Sequence, residues 1–319
     1  MCTAISVVAG DNYFGRNLDY EHDFGEKIVI TPRNYRFRFA DKGHFAMIGM
    51  ALPVNGYPLY FDATNEKGLS MAGLNFPENT CYMDAKDDRT NIASFEMIPW
   101  VLSKCSSVDE AEELVGNANI TDERFSADMP PSPLHWIIGD KERNITIEQT
   151  RTGLHIYDNP VGVLANNPTF DVQMINLANY LNVTNEEPVN KFSDKIDLMP
   201  YSRGMGGIGL PGDLSSQSRF VRATFVKLNS VFGKSEIQKV RQFFHILYSV
   251  YQQKGCAKVG GEFEITNYTS CCNTDKGIYY YTTYYNGAIN GVDMFKVNLD
   301  NEEIFVYDLI YSERINVQN

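Results

Sequence analysis

The apolar and polar positions at the start of the chain alternate with the two-residue period of a β-strand. Residues 2–8 follow this alternation, and the turn-forming pair Asp11-Asn12 comes shortly after them. Residues 13–20 resume the alternation. The pattern therefore predicts an antiparallel hairpin whose second strand returns close to Cys2.

Strand-like and helical periods then occur in separate blocks. Strands are predicted at 27–30, 45–50, 69–74, 134–139, 145–148, 155–157, 161–164, 268–272, 278–283, 288–294 and 304–307, with a hairpin turn at 286–287. Helices are predicted at 92–103, from 169 to about 181, at 215–228 and at 234–253. A further helix is predicted to follow a capping box at 107–110. Such blocks predict an α+β fold of two packed sheets with helices outside them. Because no repeat or linker separates the blocks, we expect residues 1–319 to form one domain.

Two connecting segments show neither the strand-like nor the helical periodicity. Residues 122–133 hold three prolines with Phe125 and Met129, which suits either a loop stapled to the core or the wall of an apolar pocket. Residues 182–216 are rich in charge and glycine and contain a GxGxxG match at 204–209. No strand is predicted before that match, and Pro211 follows where a helix should open, so we reject a dinucleotide-binding loop.

Composition narrows the function. The net charge of −12 argues against a nucleic-acid partner, and no apolar run is long enough to predict a membrane span. Six cysteines without a CxxC pair, and a start without a basic signal-peptide region, predict reduced thiols in the cytoplasm. The five histidines are scattered without an HExxH or paired spacing, so we expect no metal site and no cofactor.

Candidate chemistry centres on Cys2, which becomes the first residue if Met1 is removed. One residue then carries a thiol with a reference pKa of about 8.5 and an α-amine with a reference pKa of about 7.7–8.0. The amine can accept the thiol proton near neutral pH without a histidine. A cysteine at this position can equally be a small buried residue. The predicted hairpin places Arg16 and Asp19 nearby, where they are either site residues or a solvated strand end.

Eleven short segments support the catalytic interpretation. They are 1–3 (MCT), 14–19 (FGRNLD), 65–69 (NEKGL), 72–77 (AGLNFP), 134–136 (LHW), 166–170 (NNPTF), 209–213 (GLPGD), 218–220 (SRF), 243–247 (FFHIL), 268–271 (YTSC) and 277–281 (GIYYY). In this order they resemble the choloylglycine hydrolase family, the bacterial bile salt hydrolases and penicillin V acylases. Each segment alone is weak, but the ordered set covers essentially the whole chain and is highly specific.

The resemblance implies an N-terminal-nucleophile (Ntn) hydrolase fold, a four-layer αββα sandwich. It also implies cytoplasmic homotetramers, with the irregular segment at about 182–205 used in assembly. Carried over by position, Cys2 is the nucleophile and its α-amine the base, while Arg16 and Asp19 flank the thiol and hold the amine. The oxyanion-stabilising pair and the second active-site arginine correspond to Asn75, Asn166 and Arg219.

Substrate choice also follows from the resemblance. At position 75 the chain has asparagine and so resembles the bile salt hydrolases, whereas penicillin V acylases more often carry tyrosine at this position. The positions that line the steroid pocket in the family correspond to Leu18, Val54, Phe125, Met129 and Leu134. We therefore expect hydrolysis of glycine- or taurine-conjugated bile acids. The alternatives are a penicillin V or N-acyl homoserine lactone acylase, aminoacyl transfer from the same thioester, and an inactive relative that only binds an amphipathic ligand.

Overall fold

The computed structural model describes residues 1–40 and 42–319. Its strands are β1 Cys2–Ala9, β2 Asp11–Tyr20, β3 Lys27–Thr31, β4 Met47–Val54, β5 Tyr57–Asn65, β6 Ser70–Asn75, β7 Thr90–Ala93, β8 Ala118–Thr121, β9 Leu134–Gly139, β10 Asn144–Thr150, β11 Gly153–Asp158, β12 Val163–Leu164, β13 Lys258–Val259, β14 Glu262–Phe263, β15 Ile265–Asn273, β16 Ile278–Thr283, β17 Asn286–Asp293 and β18 Phe305–Tyr307. Its α-helices are α1 Met97–Lys104, α2 Val108–Gly116, α3 Phe170–Leu177, α4 Ser216–Asn229 and α5 Glu236–Tyr248. Short 3-10 helices lie at Ser94–Glu96, Ala178–Tyr180, Met205–Gly207 and Met294–Lys296.

Two large antiparallel sheets form the centre of the molecule. One has the order β12-β1-β2-β15-β16-β17, and the other has the order β11-β10-β9-β6-β5-β4-β3-β18. β1 and β2 of the first sheet contact β5 and β6 of the second. Helices α4 and α5 cover the outer face of the first sheet, and α1 and α2 cover the outer face of the second. The expected four-layer αββα arrangement is therefore confirmed.

Burial on both faces explains why several strands are continuously apolar. In β3, Ile28 and Ile30 belong to the core between the sheets, whereas Val29 between them packs into the core beneath α1 and α2. Ile137 and Ile138 of β9 divide in the same way. A strand with a covered face on each side cannot show the apolar-in, polar-out alternation of a half-buried strand.

The hairpin at the start of the chain is confirmed, with Ala4 opposite Arg16 in the β1–β2 pairing. Gly15 allows β2 and β15 to approach closely, since a Cβ atom there would lie 2.1 Å from the Ser270 carbonyl oxygen. The predicted irregular connection is also confirmed, because residues 182–215 contain only the 3-10 helix Met205–Gly207 among their described elements.

Three predicted elements differ from the structure in their type, pairing partner or turn position. The helix expected at 92–103 starts as β7, which pairs in parallel with β8, and becomes helical only afterwards. The segment 161–164 does not continue the sheet of β11, because β12 pairs with β1 of the other sheet. The last hairpin turns two residues earlier than predicted, since Thr283 pairs with Asn286, which already belongs to β17. Among the described residues, no helix has the length and apolar character needed to cross a bilayer.

Candidate active site

Cys2 opens β1, where a cavity between the two sheets reaches the chain terminus. The residue is 3% exposed and lies opposite Leu18 in the β1–β2 pairing. On the other side of β1, the edge strand β12 ends at Leu164. Beyond that end, the Asn166 side chain is the hydrogen-bond partner of the β1 backbone. Its Oδ1 accepts a hydrogen bond of 2.8 Å from the Cys2 backbone N–H. The backbone of Cys2 is therefore held from both sides.

Arg219 approaches the same point from α4. This fully buried guanidinium donates to the Cys2 carbonyl oxygen at 2.5 Å, to Thr3 Oγ1 at 2.6 Å and to Asn166 Oδ1 at 2.7 Å. Burial lowers the pKa of Arg219 from its usual value, and the negative charge of nearby Asp19 opposes that effect. Arg219 thus fixes the Cys2 carbonyl and the orientation of the Asn166 amide at once.

The Asn166 amide also connects the two sheets at the cavity. With its oxygen held by Cys2 and Arg219, its Nδ2 donates to the Asn75 backbone oxygen at 2.6 Å. Asn75 is half-buried at the end of β6 and lines the cavity beside Cys2. The predicted oxyanion pair is therefore brought together next to the predicted nucleophile.

Arg16 lines the cavity from β2 and is anchored on the opposite sheet. Its Nη1 donates to the backbone oxygens of Phe61 at 2.9 Å and Gly73 at 2.5 Å. Burial opposes its charge, but Cys2, Tyr268 and the carboxyl of Asp62 raise the pKa of Arg16 above its usual value. Arg16 therefore places a permanent positive charge beside the thiol.

Asp19 lies at the chain terminus in a fully buried position. Burial raises the pKa of this carboxyl to about 6, although Arg219 and the terminal ammonium favour its charged form. Thr266 Oγ1 donates to Asp19 Oδ1 at 2.6 Å, whereas Oδ2 has no hydrogen-bond partner among the described residues. That oxygen is available to a group on the chain terminus.

Met1 precedes Cys2 here, so the Cys2 nitrogen is an amide and cannot act as a base. The Met1 ammonium donates to the Asp19 backbone oxygen at 2.5 Å and forms an ion pair with the buried carboxylate of Glu264. Glu264 is a site neighbour that the sequence did not indicate. It lies just before β15, 262 positions after Cys2, and no local pattern marks it.

We expect Asp19→Asn to raise the free energy of unfolding by up to about 3 kcal/mol at pH 7.5, since one pKa unit corresponds to about 1.4 kcal/mol. The native carboxyl has a pKa of about 6 against a reference of 3.8. Native protein therefore loses stability as the pH rises between these values, and the asparagine avoids that loss. The gain should shrink as the pH falls through 6 and vanish below about 4. Urea unfolding at several pH values measures it, with the exposed Asp197→Asn as control.

An equal or larger stability for the wild type at pH 7.5 would contradict the ionised, desolvated state of Asp19. So would a stability gain of the same size at pH 4.

The cavity above Cys2 has a volume of about 250 Å³ and mostly apolar walls. Leu18, Phe125, Met129 and Leu134, which the resemblance placed in a substrate pocket, all line it. Further lining residues that were not predicted are Tyr20, Phe24, Leu52, Leu59, Tyr60, Phe61, Ser94, Phe95 and the prolines of the 122–133 loop. Of the two interpretations of that loop, the structure favours the wall of an apolar pocket.

Val54 is set apart from the other predicted pocket residues. Val54 ends β4 and lies outside the cavity that contains Cys2. It lines a second cavity of about 710 Å³ with Arg38, Tyr57 and Phe125. The reason is its position in the β4–β5 hairpin: it lies two residues beyond Leu52, or about 6.6 Å further along the strand. Phe125 lines both cavities.

Within residues 1–40 and 42–319, no three His, Cys, Asp or Glu side chains are grouped as metal ligands. The convergent groups are a thiol, two guanidinium groups, two carboxamides and a buried carboxyl. This set can activate a nucleophile and stabilise an oxyanion, which is the chemistry of acyl transfer.

Comparisons with known proteins agree with this geometry. The profile of the linear amide C–N hydrolases, choloylglycine hydrolase family, matches residues 2–307. A bile salt hydrolase/transferase of Lactiplantibacillus plantarum is 52% identical over 97% of each chain. A bile salt hydrolase/transferase of Clostridium perfringens is 39% identical over 100% of this chain and 99% of the other.

Solved structures give the same result for the fold. The C2A mutant of the conjugated bile acid hydrolase from Clostridium perfringens superposes with a TM-score of 0.92 at 38% identity, with both chains fully covered. Penicillin V acylase from Agrobacterium tumefaciens shares the fold, with a TM-score of 0.77 at 18% identity over 98% of this chain and 95% of the other. The expected Ntn-hydrolase sandwich is thus confirmed, and the chain belongs to the choloylglycine hydrolase family of linear amide C–N hydrolases.

Proposed function

We propose that this chain hydrolyses the amide bond of glycine- or taurine-conjugated bile acids through a thioester on Cys2. The observation that carries the proposal is the apolar cavity that ends at the Cys2 thiol, between Arg16 and Asn75. The relatives at 52% and 39% identity, named bile salt hydrolase/transferase, support the same substrate class.

In the proposed mechanism, Met1 is first removed so that the Cys2 nitrogen becomes an amine. The amine takes the thiol proton, and the sulfur forms a bond to the amide carbon. Asn75 and Asn166 stabilise the oxyanion, for which each well-placed donor contributes about 3–4 kcal/mol. The C–N bond then breaks as the amine returns its proton to the leaving amino acid. Water attacks the thioester, releases the bile acid and restores the thiol.

Arg16, Asp19 and Arg219 hold the reacting groups in this mechanism. Arg16 stabilises the thiolate by its charge, and Asp19 offers its unpartnered Oδ2 to the α-amine. Arg219 donates to the Cys2 carbonyl oxygen and to Asn166 Oδ1, which orients the Asn166 amide so that its Nδ2 donates to the Asn75 backbone oxygen.

A steroid needs more room than the cavity at Cys2, because about 250 Å³ falls below the ~300–1,000 Å³ of typical ligand pockets. The neighbouring 710 Å³ cavity supplies that room beyond Phe125. The Arg38 guanidinium lies 4.6 Å from the Phe125 ring centroid and holds the ring between the two cavities. We infer that the ring system of the substrate extends past Phe125, which would bring Val54 into contact with it.

The test is amine release from glycocholate, taurocholate and penicillin V, measured side by side with protein that begins at Cys2. Faster release from either bile salt than from penicillin V is expected. The opposite ranking would move the chain to the acylase branch with the same nucleophile. No release from any of the three would contradict the proposed substrate class.

We expect Asn75→Tyr to shift the ratio of kcat/KM for glycocholate over penicillin V by roughly tenfold toward penicillin V. Asn75 lines the cavity beside Cys2, so a phenol ring there would narrow the entry for a steroid. Asn75→Gln is the matched control, because it keeps the carboxamide without the ring. An unchanged ratio in the tyrosine variant would remove Asn75 from the basis for substrate choice.

Aminoacyl transfer is a second candidate function, because the relatives of Lactiplantibacillus plantarum and Clostridium perfringens are both named hydrolase/transferase. A free amino acid would attack the thioester in place of water and form a new amide bond. When phenylalanine or leucine is added to a reaction in which glycocholate or taurocholate forms the Cys2 thioester, the products should include the corresponding cholyl amide. Mass spectrometry measures that product.

We further propose that the chain forms one domain that assembles as a cytoplasmic bacterial homotetramer. The six free cysteines suit a reducing compartment. The 182–205 segment supports assembly, because its apolar side chains Val189, Phe192, Met199 and Tyr201 are 71–85% exposed. Exposed apolar patches of this kind mark protein interfaces.

Light scattering should therefore give a mass of four times 36.1 kDa for the purified protein. We expect the double variant Phe192→Ser/Met199→Ser to lower that mass, because it removes two large apolar side chains from the proposed interface. Val231→Ser, equally exposed at 85% but outside the segment, should not lower it. A monomeric wild type, or an unchanged mass in the double variant, would contradict this use of the segment.

A further inference from the structure

The two carboxamides of the proposed oxyanion pair come from separate parts of the fold. Asn75 ends β6 of one sheet, and Asn166 follows β12 of the other. Oxyanion stabilisation requires donors within about 2.7–3.1 Å of one oxygen position. A displacement of about 1 Å can cost 10²-fold in rate. The hydrogen bond from Asn166 Nδ2 to the Asn75 carbonyl oxygen joins the two segments, and the chain beside each carboxamide must also be held in place.

His135 contacts the chain next to both carboxamides. It lies on β9, where Leu134 pairs with Asn75, and its side chain is fully buried. The imidazole ring stacks on Phe76, the residue after Asn75, with ring centroids 4.2 Å apart and planes at 4°. Its Nε2 lies 2.8 Å from the carbonyl oxygen of Ala165, the residue before Asn166.

The hydrogen bonds fix how the ring is oriented. A carbonyl oxygen can only accept, so Nε2 carries a proton and donates to Ala165. Nδ1 lies 3.1 Å from Glu148 Oε1, and that same oxygen accepts the backbone N–H of Phe170 at 3.0 Å. Phe170 begins α3, four residues after Asn166. His135 and Glu148 therefore anchor the Asn166 segment at a point before and a point after the carboxamide.

We propose that His135, oriented by Glu148, is a positioning residue that sets the geometry of the Asn75–Asn166 oxyanion pair. His135 is not among the residues that line the Cys2 cavity, so it acts through Phe76 and Ala165 and not on the substrate. This inference rests on the oxyanion roles proposed above for Asn75 and Asn166.

Two variants separate the two contacts of the ring. His135→Phe keeps the stacking on Phe76 but removes the donor to Ala165, and His135→Gln keeps a donor near the Nε2 position. We expect kcat to fall at least about tenfold in the phenylalanine variant, with KM within twofold of the wild type, because the cavity walls are untouched. The glutamine variant should recover most of the loss. The substrate is whichever of glycocholate, taurocholate or penicillin V the wild type turns over fastest.

The rate of Cys2 alkylation by iodoacetamide is the readout that distinguishes positioning from general structural damage. Alkylation uses the thiolate but forms no oxyanion, so it should stay within twofold of the wild type in both variants. If alkylation and kcat fall together, or if kcat is unchanged in both variants, the inference is wrong. Should the phenylalanine variant not fold, Phe76→Leu, which removes the stacking alone, is expected to lower kcat at unchanged alkylation.

Asn166→Ala, run in parallel, separates this inference from the assignment on which it rests. Unchanged kcat in Asn166→Ala would overturn the oxyanion role and the positioning role together. A large loss in Asn166→Ala with wild-type kcat in both His135 variants would overturn the positioning role alone.

Discussion

Replacing Cys2 by serine is expected to lower kcat for amide hydrolysis by at least about 10³-fold. Serine has nearly the same size, so the β1–β2 pairing and the hydrogen bond to Asn166 remain possible. Its hydroxyl, however, is far less acidic than a thiol, and an α-amine with a pKa of about 7.7–8.0 cannot remove its proton effectively. Amine release gives the rate, and urea unfolding should show stability within about 1 kcal/mol of the wild type.

The chain provides its own control for this experiment. Cys256 is a free, exposed thiol that has no role in the proposed mechanism. Cys256→Ser should therefore retain wild-type kcat. Near-normal turnover by the Cys2→Ser protein would show that another group is the nucleophile.

A protein that retains Met1 is expected to lose at least about 10²-fold in kcat, within the range that general base catalysis contributes. With Met1 attached, the nitrogen that should take the thiol proton is an amide. The Met1 ammonium also occupies the space between the Asp19 backbone and Glu264. Two proteins released from the same cleavable fusion, one starting at Met1 and the other at Cys2, make the comparison direct.

Intact mass must confirm each terminus before the rates are compared. A third protein that begins at Cys2 and carries Glu264→Gln tests whether the carboxylate that held Met1 matters after its removal. Full turnover by a preparation whose mass still includes Met1 would refute the α-amine as the base.

Local patterns predicted the parts of the fold that local physics determines. The β1–β2 hairpin follows from a strand period on both sides of a turn, and it correctly brings Arg16 and Asp19 to Cys2. The layer order follows from the segregation of strands and helices. Local patterns failed where the secondary structure of a segment depends on a partner that is distant in the sequence. The segment β7, for example, is a strand because it pairs with β8.

Contacts between residues that are distant in the chain are even more important in the candidate site. Asn166 and Arg219 contact the Cys2 backbone from 164 and 217 positions away in the chain. Periodicity cannot predict such long-range contacts, and only the family resemblance pointed to these residues. It gave no role to Glu264 or to His135, although His135 lies in the matching segment 134–136. The proposed roles of both residues depend on which carbonyl, ammonium or ring lies beside them. Nor did the resemblance separate Val54 from the residues of the Cys2 cavity, because a short shift along a hairpin changes the cavity that a side chain lines.

The terminus of a chain is usually its least ordered part, yet here it carries the proposed nucleophile. β1 escapes fraying because β2 pairs with it along its whole length on one side, and β12 with Asn166 holds it on the other. The amide hydrogens of residues 2–6 should therefore exchange with solvent only when the whole sheet opens. Heat inactivation and global unfolding are then one event, and no partly frayed enzyme with a free reactive thiol accumulates before it.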